Sequence, residues 1–390
     1  MRILHCGKFH PPHRGGMETF LGQLAQAQAA AGDEVLVLAH AGPGQAGGWA
    51  TAGAVQVRRV RTPWTLGGYA PVAPAMPLAF LQARHGFRPD VVHAHAPNPA
   101  ALWPALFCGR TPLVLHWHAD VQFPPGREPS APLLACWRRL EALTLTRADA
   151  VIATSQAYLD SSPALAAHRR KCRVAPSALA ETPQPEPGSG HGSHPALDFL
   201  DNCPDGCLRV LAVGRLAHYK GFALLCEAVL DMPRASLCLV GEGEERSALQ
   251  ALAELPEARG RIHLTGEVPD AVLDACYRKS HVLCLPSLSR SEAFGLVLLE
   301  AMSRGLPCIA TSVPGSGMSE VVRHGETGIL VRPGSARDLG QALRRLAADP
   351  ELRLRLGRAG RERFARNYAM VEVARRIRSV YEDVLAARQP

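Results

Sequence analysis

The chain has 390 residues, more than one hydrophobic core ordinarily organises, so we expect two domains. Hydrophobic residues make up 47% and charged residues 20%; this composition excludes disorder over most of the chain, and no apolar run of about 18 residues is present to span a bilayer. The net charge is +8, and residues 1–180 hold the whole excess, with 17 Lys plus Arg against 9 Asp plus Glu.

The start of the chain and its cysteines both bear on its compartment. Residues 1–7 are too short an apolar segment for a secretory signal. The eleven cysteines are odd in number, and Cys6, Cys238, Cys284 and Cys308 lie inside apolar, strand-like runs as small core residues do. We therefore expect a cytoplasmic protein with reduced thiols.

The first half of the chain alternates strand-like runs with helical patterns. Strands are predicted at residues 2–6, 34–39, 55–60, 90–95, 113–116 and 150–153, and a helix at 17–31. Strands that alternate with helices favour a parallel, doubly wound sheet. We predict a Rossmann-like domain over residues 1–180.

A Pro-, Gly- and Ser-rich stretch interrupts this alternation, and we interpret residues 181–206 as a domain linker. Beyond it, strands are predicted at 208–213, 236–240, 261–264, 281–285, 308–310 and 328–331. This series predicts a second Rossmann-like domain over residues 207–370. A last helix is predicted at 371–387.

Two pairs of histidines end predicted strands of the first domain, His93 with His95 and His116 with His118. Residues two apart in a strand lie on the same face, so each pair is compatible with a metal site, but no Asp-x-Asp motif accompanies them. Ligands of open α/β sheets bind at the carboxyl ends of the strands. We interpret the histidines as polar groups at that edge and expect no metal.

Glu292 and Glu300 straddle an apolar segment that is predicted to start a helix near Phe294. Along a helix they would lie roughly 12 Å apart, about the reach from a donor sugar to its ribose. Carboxylates accept charge-assisted hydrogen bonds from sugar hydroxyls, and the first amides of a helix can hold a diphosphate. The segment predicts a nucleotide-sugar site; the alternative is an amphipathic core helix with Glu292 at its start and Glu300 facing solvent.

Two cations follow the first predicted strand of the second domain. Arg215 offers a planar fork and Lys220 a mobile point charge, and together they suit a diphosphate without a metal. The alternative is a pair of solvated loop charges.

Together these segments resemble the retaining glycosyltransferases of family 4, the glycosyltransferase group 1 family. The resemblance covers nearly the whole chain and rests on motifs in one order, which are residues 15–18, 90–95, 116–120, 151–155, 210–222, 291–302 and 320–328. It implies the GT-B fold, an α/β architecture with two Rossmann-like doubly wound domains facing a central cleft. In this family the last helix crosses back onto the first domain.

The resemblance also implies roles for individual residues. The catalytic set would be His118, Glu292, Arg215 and Lys220. The donor-binding set would be Gly15, Gly16, Arg215, Lys220, Glu292, Phe294, Gly295, Leu296 and Glu300, with Glu18, Trp117 and Asp120 as acceptor contacts. No cofactor and no metal are implied, since the nucleotide diphosphate sugar is itself a substrate.

The expected function is retaining transfer of a hexose-type sugar to a glycan or lipid-linked acceptor, in cell-surface polysaccharide or lipopolysaccharide biosynthesis. The alternatives are a nucleotide-sugar epimerase or a phosphorylase of the same fold, or a non-catalytic nucleotide-sugar-binding subunit. Two departures from the family stand out: residues 175–179 replace an Asn-Gly turn, and the glycines of residues 313–320 are spaced where the family has them adjacent.

The charge distribution adds a hypothesis about partners. A basic first domain suits docking onto an anionic bilayer, so the enzyme would act at the inner face of the cytoplasmic membrane. The alternative is a generic basic surface. Nucleic acid is not expected as a partner, because basic and aromatic residues do not interleave.

Overall fold

The computed structural model describes residues 1–66, 70–122, 130–181 and 193–388. The chain divides into two compact units. The first unit is Met1–Ala180 with Met370–Pro390, and the second unit is Glu181–Ala369.

An eight-stranded sheet forms the centre of the first unit. Its strands are β1 (Arg2–Cys6), β2 (Glu34–His40), β3 (Gly48–Ala52), β4 (Val55–Val60), β7 (Val91–Ala96), β8 (Leu113–Trp117), β9 (Ala150–Ala153) and β10 (Cys172–Val174), and two short strands, β5 (Trp64–Leu66) and β6 (Ala70–Val72), pair separately. The order is β10-β9-β8-β7-β1-β2-β4-β3, parallel except for β3. The helices of residues 1–180 are α1 (Gly16–Ala30), α2 (Met76–Phe87), α3 (Leu102–Phe107), α4 (Ala131–Arg147) and α5 (Gln156–Ser161).

The second unit has a six-stranded sheet, parallel throughout. Its strands are β11 (Leu208–Val213), β12 (Ala235–Val240), β13 (Ile262–Gly266), β14 (Val282–Leu285), β15 (Cys308–Thr311) and β16 (Gly328–Val331), in the order β13-β12-β11-β14-β15-β16. Its helices are α6 (Pro195–Asp201), α7 (Phe222–Leu230), α8 (Arg246–Ala253), α9 (Asp270–Lys279), α10 (Leu296–Ser303), α11 (Met318–Val321), α12 (Ala336–Ala348) and α13 (Pro350–Asn367). The interior strands β12, β14 and β15 are buried along their whole length and β11 at all but one residue, as parallel sheets with helices on both faces require.

The last helix, α14 (Met370–Ala386), belongs to the first unit although it follows the second along the chain. It packs beside α1. Ile377 and Tyr381 of α14 and Phe20 and Leu24 of α1 share one hydrophobic core with inward residues of the sheet. These two helices therefore cover one face of β1, β7, β8 and β9.

Part of the predicted linker is folded. Helix α6 lies inside residues 181–206 and buries Ala196, Leu197 and Leu200, with contacts to α9, β12 and β13. Its proline stands at the first turn, where the missing N–H costs nothing. The second half of the predicted linker is therefore partly helical and packs on the second unit. Residues 182–192 lie outside the described part of the chain.

All eleven cysteines are free thiols, and Cys6, Cys238, Cys284 and Cys308 are buried. Among the helices of the described residues, none is both long and apolar enough to cross a membrane.

Candidate functional site

The segment that follows β8 carries three of the predicted site residues. Trp117 ends the strand; its ring is 2% exposed, and its indole N–H donates to an oxygen of Asp120 at 2.8 Å. Ser162 donates to the same oxygen at 2.6 Å. Trp117 is thus a core residue that orients Asp120, and a contact with an acceptor stays a prediction. Asp120 and His118 remain half-buried.

His118 belongs to a stack of imidazoles on the sheet face that α1 and α14 cover. Strand pairing places His5 of β1 beside His93 of β7, and His95 of β7 beside His116 of β8. The rings of His95, His116 and His118 lie 10–19° from parallel, with centroids 4.3–5.6 Å apart. The interpretation as edge groups is wrong for His93, His95 and His116, which are 0% exposed, because helices cover this face.

Burial lowers the pKa of all five imidazoles, to about 4 for His5 and to about 3 for His118. For His93, His95 and His116 the pKa lies well below the ordinary value, with burial again the largest cause. The stack is therefore neutral at physiological pH, so His118 offers one N–H and one lone pair and no charge.

The same histidines form the groups of ring nitrogens that could hold a metal. Two sets of three have nitrogens within 4.8 Å of one another: His5 with His93 and His95, and His95 with His116 and His118. An imidazole ligand directs its lone pair at the ion within the plane of its own ring. The nearly parallel rings of the second set do not converge on one point. That no metal is bound stays a prediction.

The start of α1 contains the predicted donor loop. Gly15 is the N-cap and Gly16 the first helical residue. A Cβ at Gly15 would lie 2.2 Å from Oε2 of Glu18, so glycine there makes room for that carboxylate. Glu18 is 7% exposed, and burial raises its pKa. The carboxylate therefore lies at the positive end of the helix, where a phosphate was also expected, and its predicted contact with an acceptor stays a prediction.

In the second unit, the loop after β11 holds the two predicted cations in different surroundings. Arg215 is about half exposed and lies 3.1 Å from a carboxylate oxygen of Glu244. Lys220 is 7% exposed and forms an ion pair with Glu292. Burial alone would lower the pKa of Lys220, but Glu292, Tyr219 and Glu300 together outweigh it and the pKa is raised. Lys220 therefore carries a stable charge inside the unit.

Contacts between two strand-end loops bring Lys220 to Glu292. The amide of Leu288, beyond β14, donates to the carbonyl of Tyr219 at 2.7 Å. Gly221 lies so close to this segment that a Cβ would stand 2.3 Å from the carbonyl oxygen of Pro286. A glycine is required there, and the loops of β11 and β14 are held together as one site.

The segment before α10 differs from the prediction. The helix begins at Leu296 instead of near Phe294, because Gly295 adopts a φ of 84° and ends the preceding turn. Glu292 therefore lies outside the helix, and the 12 Å estimate along one axis does not apply. Phe294 is 5% exposed and its ring meets Tyr368 edge-on, so only its backbone is suited to a ligand.

The glycine-spaced segment after β15 fixes the position of Glu292. The hydroxyl of Ser316 donates to the carbonyl of Glu292 at 2.5 Å, and the amide of Gly317 donates to the carbonyl of Ala293 at 2.8 Å. This segment thus holds the backbone of Glu292 and Ala293 in place, a role that its family resemblance did not indicate.

Glu300 lies on α10 and has a partner that the sequence did not reveal. The hydroxyl of Tyr277, on α9, donates to an oxygen of Glu300 at 2.6 Å. Burial raises the pKa of Glu300, while Tyr277 and Arg304 act against that rise. Nothing in the sequence distinguishes Tyr277 from a core aromatic, since its pairing depends on how α9 packs. The second unit thus brings together Lys220, Glu292 and a fixed Glu300.

Known proteins with similar sequences and folds are glycosyltransferases. The family model described as glycosyl transferases group 1 matches residues 202–363, and the glycosyl transferase 4-like domain model matches residues 15–178. The D-rhamnosyltransferase WbpZ of Pseudomonas aeruginosa is 31% identical over 278 residues, which span 70% of this chain and 68% of that protein. The lipopolysaccharide core biosynthesis glycosyltransferase LpsE of Rhizobium meliloti is 30% identical over 184 residues, spanning 46% of this chain and 50% of that protein.

A solved structure covers almost the whole chain. Anabaena HepE in complex with UDP-glucose matches 98% of this chain and 100% of its own, with a TM-score of 0.73 and 19% sequence identity. At that identity the likeness shows the fold.

Proposed function

Because this chain belongs to the group 1 glycosyltransferases and has the GT-B fold, we propose that it is a retaining enzyme that moves a hexose-type sugar from a nucleotide diphosphate sugar to a glycan or lipid-linked acceptor. One observation carries the proposal: Lys220 forms a buried ion pair with Glu292 at the carboxyl ends of β11 and β14, and Glu300 on α10 lies near enough to help raise the pKa of Lys220. A buried cation and carboxylates in one site suit a ligand that has phosphate oxygens beside sugar hydroxyls.

The donor roles follow from these surroundings. An ammonium has three N–H donors, so Lys220 can bond both Glu292 and a phosphate oxygen, and Arg215 adds a second cation for the leaving diphosphate. Glu292 would accept from the transferring sugar, and Glu300 from the ribose. The backbone at Gly295 and Leu296, where α10 starts, would meet the phosphates. We propose transfer without a metal, since these two cations stabilise the leaving group.

In the transfer step, the bond from the sugar carbon to the phosphate oxygen breaks and a bond to the acceptor oxygen forms on the same face. The acceptor's proton passes to the leaving diphosphate, so no enzymic nucleophile is required. His118 would contribute a neutral imidazole as a hydrogen-bonding group, because burial lowers its pKa to about 3.

We propose that the enzyme acts in the biosynthesis of a cell-surface glycan. The relatives WbpZ and LpsE are named for rhamnosyl transfer and for lipopolysaccharide core biosynthesis, which supports an acceptor of that class. We further propose that the basic first domain docks on anionic lipid. Flotation with anionic liposomes at low salt tests this, and protein that stays at the bottom of the gradient would reject it.

Two other functions make a different prediction about product release. An epimerase or phosphorylase of this fold would act without a sugar acceptor, and a non-catalytic subunit would release no nucleotide at all. Release of nucleotide diphosphate only when an acceptor glycan is present supports transfer. Turnover of the donor without an acceptor would favour an epimerase or a phosphorylase, and no turnover under either condition would favour a non-catalytic subunit.

A thermal-shift screen against UDP, GDP, ADP, CMP and their sugar conjugates, first without metal and then with magnesium, tests donor binding. A ligand that binds only the folded state raises Tm. A metal-independent shift with one base supports the proposed site, whereas no shift with any nucleotide would contradict it.

A further inference from the structure

A chain of hydrogen bonds leads from His118 into the interior of the first unit. Nε2 of His118 lies 3.0 Å from Nδ1 of His95, and Nε2 of His95 lies 3.1 Å from Nδ1 of His5. Nε2 of His5 then meets Oε1 of Gln28, on α1, at 2.7 Å. Two side chains, those of His95 and His5, thus connect a half-buried imidazole to a buried amide.

The chain continues beyond Gln28 to the last helix. The amide Nε2 of Gln28 donates to the hydroxyl of Tyr381 at 3.1 Å, and that hydroxyl lies 2.5 Å from Nδ1 of His93. Within the described residues, Nε2 of His93 has no partner, so the chain ends there.

The neutrality of the imidazoles makes the direction of these bonds interdependent. A neutral imidazole has one N–H and one lone pair, so donation at one nitrogen requires acceptance at the other. The nitrogen that carries the proton is set by the partner of the other nitrogen. One bond of fixed direction therefore determines the tautomer of every histidine in the row.

Gln28 provides that fixed direction. An imidazole reverses when a proton moves between its nitrogens and a hydroxyl reverses by rotation, whereas an amide oxygen can only accept. With Oε1 of Gln28 facing His5, His5 donates from Nε2 and accepts at Nδ1 from His95. His95 in turn accepts at Nδ1 from Nε2 of His118. The opposite direction requires the buried amide to turn over.

We propose that Gln28 is a positioning residue that holds His118 in the tautomer with the proton on Nε2 and the lone pair on Nδ1. The proposal rests on the function proposed above, in which His118 serves the transfer step. A lone pair at Nδ1 accepts a hydrogen bond from a sugar hydroxyl, whereas the other tautomer would present an N–H that suits a phosphate or carboxylate oxygen. Gln28 thereby selects a hydroxyl as the partner of His118.

The first test reads the tautomer directly in the wild-type protein. Two-bond proton–nitrogen correlation spectra of protein with ¹⁵N-labelled histidine distinguish protonated from unprotonated ring nitrogens, and His118→Gln identifies the signals of His118. We expect a protonated Nε2 and an unprotonated Nδ1 at neutral pH. A protonated Nδ1 would overturn the proposal, and this readout needs no substrate.

The second test compares a variant that removes the Gln28 amide with one that removes only the hydrogen bond beyond it. Gln28→Met removes the amide at similar size and is expected to give mixed His118 tautomers and about a ten-fold loss of turnover with an unchanged KM for the donor. Tyr381→Phe removes the next hydrogen bond but leaves the row from Gln28 to His118 whole, so the tautomer and turnover should stay close to those of the wild type.

The outcomes separate the proposal from a structural role and from the proposed function. Equal losses in the two variants, with the His118 tautomer unchanged, would mean that Gln28 only fastens α1 to its neighbours. If no sugar donor supports transfer, the function proposed above fails, while the spectra still decide whether Gln28 sets the tautomer.

Discussion

Five histidines lie clustered in the first unit, and burial holds the pKa of each below the 6.5 of an unfolded chain, to about 4 for His5 and about 3 for His118. Because the folded pKa is depressed, their contribution to stability is fully present above pH 6.5 and is lost as the pH falls toward the folded values. Each histidine that stays neutral only in the folded state adds a slope of up to about 1.4 kcal/mol per pH unit.

We therefore expect the free energy of unfolding of the first unit to fall steeply between pH 6.5 and 4, as measured by urea denaturation at a series of pH values. His116→Leu is the matched control. Both ring nitrogens of His116 lack partners within the described residues, so the variant removes one titrating group and breaks no hydrogen bond. The free energy of unfolding of this variant should change with pH by a slope that corresponds to one proton fewer. A wild-type free energy of unfolding that does not change between pH 6.5 and 4 would contradict the interpretation.

Substitutions at Glu300 and His118 are expected to affect different quantities, nucleotide affinity and turnover. Glu300→Gln removes a carboxylate that Tyr277 orients, and should weaken nucleotide binding about ten-fold, the loss of one charge-assisted hydrogen bond. His118→Ala should lower turnover with little change in donor affinity. Titration calorimetry with the nucleotide, beside initial rates, measures both; equal losses of affinity would overturn this division of roles.

At the scale of elements, the start of α10 depends on one glycine. Gly295 has a φ of 84°, and a Cβ there would lie 2.9 Å from Cδ1 of Leu298 and 3.0 Å from Cδ2 of Leu285. We expect Gly295→Ala to cost about 1–3 kcal/mol of stability in the second unit and to weaken nucleotide binding, since the helix start would move.

Gly305 supplies the control for that variant. Its φ is 71°, yet the nearest atom to an added Cβ is 3.8 Å away, so Gly305→Ala carries the backbone cost without the crowding. Thermal unfolding of both variants measures the difference. If the two variants lose equal stability, crowding against Leu285 and Leu298 contributes nothing to the loss in Gly295→Ala.

Most strands were predictable from the sequence, because strands buried on both faces read as continuous apolar runs. The predicted strands of both sheets match β1, β2, β4, β7, β8, β9 and the six strands of the second sheet to within about two residues. The edge strands β3 and β10 were missed because they are short and largely exposed. Helix α6 was missed because seven residues between prolines resemble a linker.

The candidate site was predictable in its residue types and less so in its geometry. The cations and carboxylates lie in one sequence pattern, whereas Lys220 meets Glu292 only because two loops pack together. The partners Gln28, Tyr277 and Tyr381 come from distant helices. Their contacts depend on strand register and helix packing, which periodicity does not determine.

At the scale of the whole molecule, the first unit is built from two separate stretches of chain. Met370, Val373 and Ile377 of α14 are buried in its core, and Tyr381 continues the hydrogen-bond chain there. We expect removal of residues 370–390 to unfold the first unit and to leave the second folded, because every core residue of the second unit lies before residue 370.

Differential scanning calorimetry of the full chain and of the truncated chain measures this difference. The full chain should show the transitions of both units, and the truncated chain only that of the second. An unchanged first transition after truncation would show that α14 is dispensable to that core.

The return of α14 to the first unit also affects how the protein is made. A ribosome delivers the second unit, Glu181–Ala369, between the two parts of the first. At the usual pace of about 5–20 residues per second, translation leaves the sheet face of His5 and His95 uncovered by α14 for roughly 10–40 s. The second unit is therefore complete on the nascent chain before the first, although the first is begun earlier.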